Sequence, residues 1–291
     1  MLQVLWSGVV LGMLTAAVAL CLHLIYKGTG VLNFAQGFFV VAGMYLVWAA
    51  VEVWGLPVAV GLGSAALGGA LLGGAIAVGV VLPVARTPLP PVITTLAAAV
   101  VIKAVLLYSF GPDVLPMRPL SPPATYRVLG AYVTTDSLWL VGTAIALIGA
   151  IFALLRFTLL GRLLTANFQS VLGSMIIGVS PTRVLVGVFV LSGMVSGLLG
   201  AVFAPIVQVR YDYGSTLILK AFTAGVVGGL ERPMGAVAGG LVVGLFEAVL
   251  ASYVSSKFAE VSVFALIVLI LYLRPGGLAS LLELGTVRRS A

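Results

Sequence analysis

The chain has 291 residues, of which 62% are hydrophobic and only 8% are charged, and its mean hydropathy is +1.25. An ordinary soluble domain carries about 25% charged residues, so this composition excludes a soluble globular fold. The formal net charge of +7 does not indicate binding to nucleic acid, because the basic residues are scattered between apolar runs and form no single basic stripe. The composition predicts an all-α, polytopic transmembrane helical bundle with no room for a soluble catalytic domain.

Eight apolar regions follow one another along the chain. They cover residues 2–25, 31–51, 57–82, 91–110, 138–155, 184–208, 216–253 and 261–273. A spanning helix needs about 20 apolar residues, so the seventh region is long enough to cross twice, or to re-enter and then cross. Its break is expected at residues 231–233. We predict one transmembrane domain over residues 1–291, with eight helices or nine crossings that include broken or re-entrant segments.

Basic residues beside the spans predict the orientation, because cytoplasmic loops carry an excess of Lys and Arg. If the loop after the fifth span is cytoplasmic and the seventh region crosses twice, nine flanking basic residues lie inside and four lie outside. The inner set is Lys27, Arg86, Arg156, Arg162, Arg183, Arg232, Arg274, Arg288 and Arg289, and the outer set is Arg118, Arg127, Arg210 and Lys257. The N-terminus is then outside and the C-terminus is cytoplasmic. The longest outer loop, residues 111–137, contains five prolines and is expected to be irregular and semi-rigid.

Glycines and amides open the second span. Gly30, Asn33, Gln36 and Gly37 lie within ten residues of one another. One hypothesis is a broken helix that lines a cavity, with a half-helix beginning near Gly30 that points its positive N-terminus at a solute. The other is a helix-packing contact in which Asn33 and Gln36 form hydrogen bonds across helices. The first hypothesis makes all four residues candidates for a translocation path.

Glycine makes up 36 of the 291 residues, about 12% against a usual 7%, and it is concentrated between residues 225 and 244. Glycines four residues apart on a helix let a neighbouring helix approach closely. We therefore expect helix packing at Gly228, Gly229, Gly235, Gly239, Gly240 and Gly244.

Glu247 follows this region and lies on the same helix face as Gly244. An ionised carboxylate in the middle of a membrane span has a high free-energy cost. The Glu247 side chain is therefore expected to face the protein interior and to be paired, protonated or hydrated. Lys103 is a candidate partner because it is the other charge near the middle of a span. Glu247 and Thr223 are candidates for residues that line the translocation path. For Glu247, the alternative is a structural role in a buried ion pair.

The segment at residues 157–182 links the fifth and sixth spans, and its apolar residues recur at helical spacing between polar ones. This pattern predicts an amphipathic helix that lies along the cytoplasmic side of the membrane, either to dock a partner or as a simple connector. Ser180 before Pro181 predicts the N-cap and first residue of the next helix.

The sequence contains few of the residues and motifs on which enzymes depend. Cys21 is the only cysteine and His23 the only histidine, so neither a disulfide framework nor a metal site is expected. No G-x-x-x-x-G-K-[ST] phosphate loop is present, and no lysine is followed by Ser or Thr. We therefore predict no catalytic residues and no bound cofactor.

Three of these segments, in their order, resemble the branched-chain amino acid permease family of ABC importers. They are residues 30–37 with 43–45, residues 220–224 with 228–229, and residues 235–247. The ending at residues 274–278 extends the resemblance over essentially the whole chain. It implies a permease subunit in the bacterial inner membrane that provides the translocation path while separate subunits hydrolyse ATP.

The resemblance also implies partners: a related or identical second permease, two cytoplasmic ATPase subunits, an extracytoplasmic substrate-binding protein and the lipid bilayer, with no nucleic acid. The matching segment would form the coupling helix that seats in the ATPase, with Arg162, Asn167, Gln169, Ser170 and Gly178 as candidate residues. Family members usually carry several charges in this segment, whereas Arg162 is the only charge between residues 161 and 178 here.

Two other functions stay open at this point. A permease of the same family for urea, short amides or other amino acids would carry the same signals, because pore-lining residues do not name the solute. An ion- or proton-coupled secondary transporter is suggested by Glu247, Lys103 and the broken helices. A membrane-embedded enzyme is poorly supported, because the chain has little acid–base equipment.

Overall fold

The computed structural model describes residues 1–85, 89–128, 130–169, 178–229 and 232–255, with single positions at 175, 258, 262, 263, 265, 268 and 272. Within these ranges the helices are α1 (Leu2–Thr29), α2 (Gln36–Trp48), α3 (Val58–Ile76), α4 (Leu89–Phe110), α5 (Thr135–Phe157), α6 (Leu159–Gln169), α7 (Pro181–Val207), α8 (Tyr213–Gly228) and α9 (Pro233–Tyr253). A π-helical turn at Ala49–Val53 extends α2, and turns at Ala77–Val81 and Leu82–Val84 extend α3. Two strands, β1 (Thr125–Val128) and β2 (Ala131–Thr134), form an antiparallel hairpin.

Seven of the described helices are long and apolar enough to cross a membrane: α1, α2 and α3 with their extensions, α4, α5, α7 and α9. This confirms the predicted all-α transmembrane bundle. Helix α1 is almost wholly buried from its middle onward and forms the centre of the bundle, whereas α4 and α5 expose most of their side chains at its periphery. The eighth predicted region, residues 261–273, lies outside the described residues except for single positions.

The seventh predicted region divides into two helices, as expected. Helix α8 ends at Gly228, and α9 begins at Pro233. The predicted break at residues 231–233 is confirmed to within a few residues, although Glu231 itself lies outside the described part of the chain. With 16 residues, α8 is roughly 24 Å long, less than the ~30 Å thickness of the hydrocarbon core.

The two ends of α1 identify the two ends of the bundle. Near its start, Gln3 accepts a hydrogen bond from the Tyr132 backbone N–H at 2.7 Å, and Trp6 donates one to Ser137 at 3.2 Å. Near its end, Asn167 of α6 donates a hydrogen bond to the Gly28 carbonyl oxygen at 2.8 Å. The hairpin end and the α6 end are therefore on opposite sides, as the predicted frame requires of the 111–137 loop and the 157–182 segment.

The expectation of an irregular loop at residues 111–137 is only partly right. The described residues before Thr125 are largely irregular, but the β1–β2 hairpin follows, and α5 begins at Thr135. The prolines all precede the strands, while β1 and β2 are rich in the β-branched and aromatic residues that favour strands. Gly130, with φ 92°, provides the left-handed residue that the hairpin turn needs.

Helix α9 is held between α8 and α1 by glycine contacts on two of its faces. At each contact, a Cβ added to the glycine would collide with the backbone of the neighbouring helix. Side chains are absent there, so the backbones approach closely. The contacts are Gly235 with Gly228, Gly239 with Ala224, Gly240 with Ala16, and Gly244 with Gly12. Gly229 has another role, since it ends α8 with φ 89°.

Gly240→Ala is expected to destabilise the folded protein by about 1–3 kcal/mol, because the new methyl group would overlap the Ala16 backbone. Gly149→Ala is the matched control, since nothing lies within 4 Å of the added Cβ there and alanine is the better helix former. Thermal unfolding of both variants in the same detergent measures the difference. Equal melting temperatures would contradict close packing of α9 on α1.

Candidate functional site

The chain between α1 and α2 is not helical. Gly30 ends α1 in a left-handed conformation with φ 71°, and its N–H donates to the Tyr26 carbonyl oxygen at 2.7 Å. Helix α2 begins only at Gln36. The expectation that a half-helix begins near Gly30 is therefore wrong, because glycine takes the left-handed conformation that closes a helix at its C-terminal end. The broken segment covers residues 30–35.

An amide cluster holds this break. Asn33 accepts a hydrogen bond from the Ala35 N–H at 3.0 Å and donates one to the Gln36 side-chain oxygen at 3.2 Å. Gln36 in turn donates to the Ser196 hydroxyl of α7 at 2.6 Å. Asn33, Gln36 and Ser196 are completely buried. In this conformation the two amides are bonded to protein and inaccessible to water, and the neighbouring Gly37 packs against the backbone of Gly214.

Helix α4 supplies a second anchor for the break. The Phe34 N–H donates a hydrogen bond to the Thr95 hydroxyl at 3.3 Å, and Thr95 is fully buried. A backbone N–H freed from a helix inside a membrane needs such a partner. Thr95 and Ser196 are not predicted by the sequence pattern, because single hydroxyl residues in apolar helices carry no spacing signal.

Glu247 forms a buried ion pair with Lys220. The Lys220 ammonium of α8 lies 2.5 Å from a carboxylate oxygen of Glu247 on α9. The candidate pairing of Lys103 with Glu247 is wrong, because α8 and α9 are joined as neighbours, while the Lys103 ammonium lies 5.7 Å from the centroid of the Tyr211 ring. Thr223 is buried and donates a hydrogen bond to the Leu219 carbonyl oxygen of its own helix at 2.8 Å.

A groove of about 280 Å³ lies between α2, α4 and α8. We name it the α2–α4–α8 groove. Beside it is a gap with no room for a water molecule, which Asn33 and Phe222 help to enclose. The groove and the gap share Phe34 and Ile218. The groove is lined by Phe34, Phe38, Leu96, Ala99, Val100, Lys103, Ser215, Ile218 and Leu219.

Charged residues lie near this groove at the hairpin end. Arg210 and Asp212 form a salt bridge at 2.7 Å in the connection between α7 and α8. The hydrogen bonds from Arg210 hold the pKa of Asp212 below its ordinary value, although partial burial acts in the opposite direction. Asp212 is therefore ionised and committed to Arg210 at neutral pH.

The predicted coupling segment contains α6 and the start of α7. Arg162 is exposed, whereas Asn167 is buried and bonded to the end of α1. Gly178 has φ 84°, and Ser180 caps α7 by accepting a hydrogen bond from the Arg183 N–H at 3.5 Å, which confirms the predicted N-cap. The side chain of Gln169 and the whole of Ser170 lie outside the described residues.

A second groove, of about 430 Å³, lies between α5, α6 and α7 at the α6 end. It is mostly apolar, and Arg183 lies on its wall. In the part of the chain that the structure describes, no three His, Cys, Asp or Glu residues are grouped as a metal site would require. Three polar arrangements among the described residues lie within the bundle: the amide cluster, the Lys220–Glu247 pair and the Lys103 end of the α2–α4–α8 groove.

Comparison with known proteins identifies the fold and the family. A family model described as "Branched-chain amino acid transport system / permease component" matches residues 4–273. The chain belongs to this family. It is a multi-pass membrane permease component, in agreement with the resemblance recognised in its sequence.

Individual relatives cover nearly the whole chain. The "High-affinity branched-chain amino acid transport system permease protein LivH" of Escherichia coli K12 is 28% identical over 95% of this chain and 94% of its own length. The BraD permease protein of Pseudomonas aeruginosa is 26% identical over 95% of both chains. A solved structure, "PsaBC from Streptococcus pneumoniae in complex with Fab", matches 98% of this chain and 95% of its own with a TM-score of 0.52. At 13% identity, that structure shows a similar fold alone.

Replacing either partner of the Lys220–Glu247 pair is expected to destabilise the protein, because the remaining charge is left buried. Glu247→Leu and Lys220→Met should each cost about 3–5 kcal/mol, and the double variant should recover most of that loss. Thermal unfolding of the four proteins in detergent forms a double-mutant cycle. Additive losses in the double variant would contradict a direct interaction between the two side chains.

Proposed function

We propose that this chain is the membrane-spanning permease subunit of an ATP-driven importer for branched-chain amino acids. The observation that carries the proposal is the family match over residues 4–273, together with relatives from two bacteria that are named as branched-chain amino acid permease proteins. The chain supplies the path and no catalytic residues of its own. Two cytoplasmic ATPase subunits use the ATP, and a second permease completes the path.

The amide cluster is the proposed inner part of that path. Gly30 begins the α1–α2 break, Gly37 lies in the first turn of α2, and Asn33 and Gln36 are the polar side chains at the break. A non-helical segment at membrane depth is tolerated only where it is buried in protein or lines a water-filled cavity. In the closed conformation the amides bond to each other and to Ser196, and on opening they exchange those bonds for contacts with the solute.

We propose a different role for the Lys220–Glu247 pair. The two side chains neutralise each other between α8 and α9, so they stabilise the helical hairpin rather than carry a proton. The same pairing weakens one of the three features that suggested an ion- or proton-coupled secondary transporter, namely Glu247, whereas Lys103 and the broken helices are unaffected by it. Thr223, one turn away on α8, stays a candidate path residue only if α8 rotates during transport.

The segment at residues 157–182 is the proposed coupling element for the ATPase. Asn167 of α6 is hydrogen-bonded to Gly28, two residues before the break begins at Gly30. A displacement of α6 by an ATPase would therefore act directly on the end of α1 and on the break. Arg162 is exposed on α6 and available to a partner, which supports docking there.

The proposed orientation places the hairpin end outside and the α6 end in the cytoplasm of the bacterial inner membrane. The substrate-binding protein then meets the hairpin end, and the ATPases meet the α6 end. The excess of basic residues at the α6 end favours this orientation. It puts the N-terminus outside and the C-terminus in the cytoplasm.

The experiment that tests the function is co-purification of this chain with its candidate ATPases, followed by leucine uptake into vesicles that contain the second permease and the binding protein. Uptake is expected to require ATP and every subunit. Urea, acetamide and other amino acids are tested in parallel as solutes. A stable complex that transports one of these solutes and no leucine would contradict the proposed substrate, and uptake that persists without ATPases would contradict the importer mechanism.

Gln36→Ala is expected to lower leucine uptake by about tenfold or more, because it removes both the contact with Asn33 and the polar lining of the path. Ser196→Ala is the matched control, since it removes the same bond to α7 but keeps the Gln36 amide. A path role predicts a larger loss for Gln36→Ala than for Ser196→Ala in initial-rate measurements. Unchanged uptake in both Asn33→Ala and Gln36→Ala would show that the amides do not line the path.

A further inference from the structure

Lys103 is a cation within a spanning helix, and no carboxylate in the described part of the chain forms a salt bridge with it. It lies seven residues before the end of α4, on the side of the hairpin end. Its ammonium is over the Tyr211 ring, and the nearby Asp212 is paired with Arg210, although the Lys103 charge also makes a smaller contribution to the lowered pKa of Asp212. Ionisable side chains inside a membrane span usually face a wet cavity or a solute pathway, because exposure to lipid is costly.

The α2–α4–α8 groove brings the Lys103 side chain together with one hydroxyl and an apolar wall. Ser215 lies near the start of α8, at the same end of the groove as Lys103. Phe34 and Leu96 are deeper, since Phe34 adjoins the α1–α2 break and Leu96 is two turns before Lys103 on α4. The groove therefore has a cationic end and an apolar end, which matches a molecule with a carboxylate at one end and a branched hydrocarbon at the other.

The deep end of the groove is closed. Phe34 and Ile218 separate it from the gap beside Asn33, and the rings of Phe34 and Phe222 lie 5.8 Å apart. A solute that enters from the hairpin end would stop at these side chains before it reaches the amide cluster. The groove thus ends at these side chains, and Leu96 and Val100 on its α4 wall are exposed at the surface of this chain.

We propose that the α2–α4–α8 groove holds the amino acid in transit, with its carboxylate bound to Lys103 and its hydrocarbon side chain against Phe34 and Leu96. This inference rests on the proposed function and assigns it a binding site. Lys103 provides the charge that a carboxylate requires, the Ser215 hydroxyl accepts a hydrogen bond from the α-ammonium group, and the apolar wall favours branched hydrocarbon over polar side chains. Opening of the Phe34–Phe222 contact then passes the amino acid to Asn33 and Gln36.

The first test is leucine uptake by the complete importer with Lys103 replaced. Lys103→Gln is expected to lower the initial rate by about tenfold or more, because it removes a charge-assisted hydrogen bond to the carboxylate. Lys103→Arg keeps the charge and should retain most of the activity. Tyr108→Gln, which places the same amide at an exposed position of α4 outside the groove, is the control and should transport as the wild type does.

The second test detects occupancy of the groove without depending on the uptake rate. Ser215→Cys in the intact importer is treated with a membrane-impermeant thiol reagent, with and without millimolar leucine. The natural Cys21 is fully buried and adds little background. Leu71→Cys, on an exposed apolar face of α3, is the control for a position in contact with lipid. Leucine is expected to slow labelling of Ser215→Cys several-fold, and adding Lys103→Gln should abolish that protection.

The outcomes separate this inference from the proposed function. Wild-type rates in Lys103→Gln, or labelling of Ser215→Cys that leucine does not change, would overturn the assignment and leave Lys103 as a residue that extends its charge to the membrane surface. If Lys103→Gln fails to assemble, protection of Ser215→Cys in the presence of Lys103 decides the question. Absence of ATP-dependent leucine uptake by the wild-type complex would instead contradict the proposed function.

Discussion

Backbone hydrogen bonding at the α1–α2 break is the constraint on which the rest of the site depends. Residues 31–35 have left the helical pattern inside an apolar bundle, and water is not available to satisfy their polar groups. Asn33 and Thr95 provide the replacement partners, and Gln36 extends the bonding to Ser196. Helices α2, α4 and α7 are thereby joined at one point, so a movement of any of them must break or exchange a buried hydrogen bond.

A different kind of contact holds much of the bundle, including α7 against α2 and α3. Helices α1, α8 and α9 contact one another through glycines and through the Lys220–Glu247 pair. At the glycine contacts no side chain lies between the backbones, so none can change its rotamer to accommodate a relative movement of the helices. Packed elements of this kind move as units rather than deform continuously. The structure therefore has a rigid frame of glycine-packed helices around a polar junction whose bonds can be exchanged, and the α2–α4–α8 groove adjoins that junction.

Much of this architecture was predictable from the sequence. The order of apolar runs gave the spans, the break between α8 and α9 followed from the charged and proline-containing interruption, and Ser180 with Pro181 marked the start of α7. The start of α2 and the candidate partner of Glu247 were wrong for two different reasons. Gly30 was interpreted as the start of a half-helix, although glycine more often closes a helix. The choice between Lys220 and Lys103 depends on which helices are neighbours, and a single sequence does not contain that information. Thr95 and Ser196 were missed because a lone hydroxyl has no periodic signature.

The glycine contacts of α9 also bear on how the protein is made. Helix α1 is complete after the first 29 residues, whereas α9, its close neighbour, begins at Pro233. Most of the chain must therefore enter the membrane before the bare backbone surfaces of α1 at Gly8, Gly12 and Ala16 find their partner. Lipid tails are as apolar as leucine, so contact between the α1 side chains and lipid has no hydrophobic free-energy cost before α9 is inserted. The centre of the bundle is thus assembled late in synthesis, around a helix that was inserted first.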